Sequence, residues 1–165
     1  MKSIDDIASD INKYVVQTAK LELTCMHLNL KLVASPLYNF RDALTHYIRF
    51  YEAKTYLDKV SQETSIDEHL SRGLKDTCVF IIDEMKNKIL DALKDANIKF
   101  KETIIRKELH IYKEQEIEIR KCTKMKNIDS LSLFIDNLIN LIKNTETNFQ
   151  KNSVCFKVNP RKKLP

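Results

Sequence analysis

The chain has 165 residues, a formal net charge of +5, one Gly, three Pro, four Cys and no Trp, and 43% of its residues are hydrophobic. That is one domain's worth of sequence with enough apolar material for a core and too little turn-forming material for sheets, which predicts an all-α fold of long helices. No stretch approaches the roughly 18 to 20 uninterrupted apolar residues of a membrane span, and Met1 to Asp6 lacks the apolar run of a signal peptide, so the expectation is a cytoplasmic chain with no membrane contact.

Ser3 and Asp6 stand at capping-box spacing, with Asp replacing the usual Glu, ahead of Ile4, Ile7, Ile11, Val15, Leu28 and Leu32. This predicts a first helix over about residues 3 to 33. His27 lies near its end, and a lone His among apolar neighbours reads as packed or surface. Ser35-Pro36 restarts the chain, with Ser35 as N-cap and Pro36 at the first helical position, and the second helix is predicted to run to about Val60. Leu37, Phe40, Leu44, Ile48 and Tyr51 share one apolar stripe of that helix, with Tyr47 at its edge and Arg41 at its border. Asn39, Ala43, His46 and Phe50 form a second face, predicted to meet a partner because it is too apolar for plain solvent exposure.

Ser61-Gln62-Glu63-Thr64 reads as a short polar connection, and Ser65 with Glu68 as a second capping box opening a helix with Ile66, Leu70, Leu74, Cys78, Ile81, Met85 and Ile89 on its apolar face. Gly73 inside it predicts close approach of another helix, and His69 is expected to be exposed. Residues 98 to 124 carry apolar positions on more than one side, and a continuous helix, a kinked one and a loop all fit. Asn127 or Asp129 is expected to cap a final helix through about 149, faced by Ile128, Leu131, Phe134, Ile135, Leu138 and Phe149. Ser153 to Val158 suits a short extended piece. Residues 1–150 thus read as a single helical bundle domain and 151–165 as a basic C-terminal tail.

Charge is uneven. Residues 1 to 65 carry eight cations and eight carboxylates, residues 99 to 126 nine Lys and Arg against five Glu, and residues 151 to 165 five cations and no carboxylate. For 99 to 126 the favoured reading is a solvated helix with i,i+4 pairs, and the other is an RNA-binding face. Cys25, Cys78, Cys122 and Cys155 show no paired spacing and no His at ligand spacing, so free thiols are expected, with no metal and no cofactor.

The segment with chemical potential is Arg41-Asp42-Ala43-Leu44-Thr45-His46. It resembles the Arg-x4-6-His motif of the HEPN superfamily, small all-α domains many of which are metal-independent ribonucleases working as dimers. The resemblance spans roughly residues 1 to 150 and is close at 37 to 51. It implies an up-and-down bundle of four to five long helices and a toxin-type or defence-type endoribonuclease hydrolysing RNA through 2′-OH attack to a 2′,3′-cyclic phosphate. It also implies a homodimer with a composite site between the two motifs, and a possible antitoxin or regulatory protein. Tyr47 follows His46 directly, and Ile48 stands where some HEPN toxins carry a Tyr that a partner modifies, so that modification is not expected.

In that reading Arg41 holds phosphoryl charge, His46 moves protons near neutral pH, and Asp42, one turn before His46, accepts from a ring nitrogen and fixes the tautomer. The alternatives are a non-catalytic helical module that binds protein, or one that binds RNA through residues 99 to 126 and the tail. On those readings Arg41 is a helix-border Arg and His46 a helix-contact residue.

Overall fold

A computed structural model of the chain describes residues 1–94, 99–121, 127–152 and 154. Those residues form five helices and no strand: α1 (Ile4–His27), α2 (Ser35–Glu52), α3 (Tyr56–Lys94), α4 (Lys99–Lys121) and α5 (Ile128–Lys151). The expected all-α bundle is therefore what the chain forms. The calls on Cys122, Cys155, Lys124, Lys126, the hinge at 95 to 97 and the tail from 155 to 165 lie outside the described residues.

Local chemistry sets most boundaries. The Ser3 hydroxyl accepts from the Asp6 amide at 3.1 Å while the Ser3 amide donates to the Asp6 carboxylate at 2.8 Å, closing the predicted capping box. α1 stops at His27, one turn and a half before the predicted end. Asn29 adopts a positive φ of 55°, Leu30 donates back to the Cys25 carbonyl at 2.8 Å and Asn29 to Met26 at 3.1 Å, the left-handed helix stop usually made with Gly. At the start of α5 the Asn127 side chain accepts from the Asp129 amide at 2.8 Å, as its sequence position suggests.

The α2–α3 boundary differs from expectation. α2 ends at Glu52, because Ala53 is extended (φ −65°, ψ 127°), and Thr55 opens α3 by accepting from the Asp58 amide at 3.1 Å. Residues 61 to 64 lie inside α3, and Ser65 spends its hydroxyl on the Ser61 carbonyl instead of capping. Ser35 is likewise the first residue of α2, after Ala34, and its hydroxyl donates to Asp76 at 2.7 Å.

α3, 39 residues and about 58 Å long, is the spine. α2 runs antiparallel along its first half, as the Asn39–His69 and Ser35–Asp76 contacts show. α4 runs antiparallel along its second half, where Lys86 meets Glu116 and Arg120 lies 3.5 Å from Asp83. α1 and α5 run parallel to each other, joined by Lys13–Asp129 and Lys20–Asp136, both 2.7 Å, and His27–Glu146 at 3.0 Å. The chain thus alternates up, down, up, down, up.

The shared core includes Leu21, Cys25, Leu74, Cys78, Ile81, Met85, Ile105, Tyr112, Ile135 and Ile142. On α5 the buried positions Ile128, Leu131, Ile135, Leu138, Ile142, Thr145 and Phe149 alternate in steps of three and four, the spacing of a coiled-coil seam. Within this seam Glu108 is buried, and among the described residues no cation pairs with it. Its two oxygens accept from Thr145 at 2.9 Å and Asn148 at 3.1 Å, and the Tyr112 hydroxyl donates to Thr145 at 3.3 Å.

Candidate functional site

Gly73 fixes how α2 meets the spine. A Cβ built there would overlap the Tyr14 hydroxyl and lie 3.1 Å from Asn39 Cβ and 3.2 Å from Pro36 Cα. The predicted close approach is therefore real, and it involves two helices: Tyr14 of α1 donates to the Pro36 carbonyl at 2.6 Å beneath the start of α2.

Close approach selects small side chains, and this reverses the expected orientation of α2. Pro36, Asn39, Ala43 and Phe50 are the buried residues of that helix. Most of the apolar stripe faces outward instead, with Leu37 68%, Ile48 58% and Tyr51 73% exposed, while Phe40 stays half-buried against Tyr14. The face predicted to meet a partner meets α3. A dimer through Ala43, His46 and Phe50 is excluded, because α3 already occupies that surface.

At the edge of this seam lies a cluster of polar side chains. The His46 ring stacks on the ring of His69 from α3, with centroids 5.3 Å apart and planes 21° from parallel. His69 is half-buried, where exposure was expected. Gln62 Oε1 accepts from His46 Nδ1 at 2.7 Å. Asn39 gives its Nδ2 protons to the Ser35 carbonyl at 2.9 Å and hydroxyl at 3.1 Å, which turns its Oδ1 toward His69 Nδ1 at 3.3 Å. An amide oxygen only accepts, so each Nδ1 carries a proton and each neutral ring keeps its lone pair on Nε2.

Asp42 lies close enough to the two imidazoles to feel their charge, and it binds Arg41. Asp42 Oδ1 accepts from Arg41 Nε at 3.0 Å and Nη2 at 2.8 Å, and the guanidinium sits 5.7 Å from the centroid of the Tyr38 ring. Hydrogen bonding from Arg41 holds the Asp42 carboxyl below its usual range, with the charges of Arg41, His69 and His46 adding to the effect. His69 is pushed below the usual imidazole value, first by burial, then by His46 and Arg72, while Asp42 and Glu68 oppose the shift. The tautomer-fixing role expected of Asp42 falls to Gln62, since the Asp42 carboxylate turns to Arg41. Reading residues 61 to 64 as a loop hid Gln62, and nothing local marks His69, which is joined to His46 through helix pairing alone.

The remaining histidines are surface residues. His27, 63% exposed at its side chain, pairs with Glu146, and His110 with Glu114 at 3.3 Å. On α4 two of the cations make i,i+4 pairs, Arg106 with Glu102 at 2.7 Å and Arg120 with Glu116 at 2.8 Å. Among the described residues no cluster of three or more His, Cys, Asp or Glu is arranged to hold a metal, and no helix is long and apolar enough to cross a membrane. Compared with known proteins, the chain matches no family model, no curated protein and no solved structure.

Proposed function

We propose that the chain is a metal-independent endoribonuclease of the HEPN type, acting on RNA as a toxin or defence factor. The observation that carries this reading is His46, a half-buried imidazole stacked on His69 whose Nδ1 is tied to Gln62, which leaves proton transfer to Nε2, on the same helix as the Arg41–Asp42 pair. Phosphodiester cleavage by the ribose 2′-OH needs a proton-transfer group near neutral pH and a cation at the phosphoryl oxygens. His46 supplies the first. Arg41 supplies the second: its pairing with Asp42 is a solvent-screened surface ion pair, so a phosphate can displace the carboxylate. Asp42 then acts as a place-holder that holds the guanidinium until a phosphate arrives. The products are a 2′,3′-cyclic phosphate and a 5′-OH.

The exposed stripe of Leu37, Leu44, Ile48 and Tyr51 favours a homodimer built on the outer side of α2. The same stripe supports the second reading, a non-catalytic module that binds protein, including a regulatory antitoxin. The two readings separate in one assay. Purified protein is incubated with structured and unstructured RNA in excess EDTA, and the ends are analysed for wild type, Arg41→Ala and His46→Ala. Cyclic-phosphate ends that disappear in both variants, with circular dichroism unchanged, support the ribonuclease. RNA left intact by wild type, or cut equally by the variants, leaves the binding module.

A further inference from the structure

We infer that His69 is a second proton-transfer residue of this site, so that one chain carries both the general base and the general acid for cleavage of an RNA phosphodiester; the inference rests on the ribonuclease reading above. Two features point to it. The imidazoles of His46 and His69 stack 5.3 Å apart, too close for a phosphate to pass between them, so a substrate meets their Nε2 edges from solvent. Each ring is oriented by its own amide, Gln62 for His46 and Asn39 for His69, and Asn39 is itself held by Ser35, which is anchored on Asp76. A histidine that only filled the seam would not need its tautomer fixed through a relay of three side chains.

The same proximity divides the labour. Two imidazolium charges in stacked rings repel, so the pair disfavours carrying both protons at once. Burial, then His46 and Arg72, disfavour charge on His69, with Asp42 and Glu68 opposing, so His69 is the ring suited to enter the step neutral, as base. In the cleavage step His69 Nε2 takes the proton of the 2′-OH as the 2′-oxygen bonds to phosphorus. His46 Nε2–H gives its proton to the 5′-oxygen as the bond from phosphorus to that oxygen breaks. The step releases a cyclic phosphate and a 5′-hydroxyl, moves the positive charge from His46 to His69, and is reset by proton exchange with water. Gln62 and Asn39 are positioning residues.

The test uses the full chain, an oligoribonucleotide, and a ribonucleoside 3′-(aryl phosphate) whose phenolate leaves without protonation. With RNA the wild type is expected to give a bell-shaped pH–rate profile, and His69→Ala to lose about 10² to 10⁴ in rate together with one limb of the bell. With the aryl ester His46→Ala is expected to recover to near wild-type rate while His69→Ala stays slow. Should His69→Ala lose helix content, His69→Gln, which still fills the seam, replaces it. Unchanged RNA cleavage by the His69 variant, with His46→Ala inactive, overturns the inference and leaves the ribonuclease reading standing. Recovery of the His69 variant on the aryl ester overturns the assignment of His69 as base. No cleavage of either substrate by wild type overturns both.

Discussion

Gly73 on α3 and Asn39 on α2 are in such close register that a methyl group on the glycine would lie 3.1 Å from the Asn39 Cβ. The glycine therefore sets the height at which α2 rides on the spine, and with it the position of the amide that orients His69. Packing and site are linked at this point: the residue that lets the helices touch also aims the imidazole.

Gly73→Ala should accordingly be destabilising even though alanine is the better helix former by about 1 kcal/mol. The added methyl meets backbone at Pro36 as well as the Tyr14 hydroxyl, and overpacking of this kind costs about 1–3 kcal/mol. Urea unfolding should show a net loss of up to about 2 kcal/mol. A stabilising result would mean that α2 does not sit this close.

Features decided within one turn were legible in the sequence, and features decided by pairing were not. Ser3 with Asp6 and Asn127 at α5 announce their caps because the partners are neighbours. Ser65-x-x-Glu68 and Thr55-x-x-Asp58 look alike locally. Only the second forms, because a break at Ala53 folds α2 back on α3. Arg41, Asp42 and His46 could be found as a motif, whereas Gln62 and His69 reach His46 through the register of that hairpin. Apolar count placed Leu37, Ile48 and Tyr51 inside, yet the glycine at 73 called for small residues at the contact and turned the stripe outward.

Thr145 is the only donor to Glu108 Oε2 among the described contacts and the acceptor for Tyr112. Thr145→Val keeps the shape of the seam and removes both functions, leaving a buried carboxylate oxygen and a buried phenol unsatisfied. A loss of about 1–3 kcal/mol in denaturant unfolding is expected, and Thr145→Ser should recover most of it. Equal stability of the Val variant would show that water replaces the hydroxyl.

Stability should fall in alkali. Burial pushes the Tyr14 phenol up to about 12 and the Cys25 and Cys78 thiols up to about 11 and 12, so the folded chain keeps protons that the unfolded chain has already released. The unfolded state binds fewer protons in that window, and the stability present below the ordinary thiol and phenol values is lost as pH rises through the folded ones. Urea midpoints should therefore drop between about pH 9 and 12. Tyr14→Phe should lower stability by about 1 kcal/mol at neutral pH through the lost bond to Pro36 and flatten the upper part of the decline.

The last prediction concerns the two faces of α2, where neighbouring residues should behave in opposite ways. Phe50 is 4% exposed and packs into the seam with α3, whereas Ile48 is 58% exposed on the outer stripe with Leu37 and Tyr51. Phe50→Ala should cost about 3–5 kcal/mol, the usual loss for a buried aromatic, and should also remove the contact of Lys59 Nζ, 5.9 Å from the ring centroid. Ile48→Glu should leave helix content and unfolding midpoint within about 0.5 kcal/mol of wild type, as surface changes do. If the outer stripe joins two copies, the same Ile48→Glu places like charges at a two-fold contact and should convert dimer to monomer in sedimentation at micromolar concentration. A wild-type chain that is already monomeric there, with Ile48→Glu behaving identically, would remove the dimer and leave the stripe to a different protein.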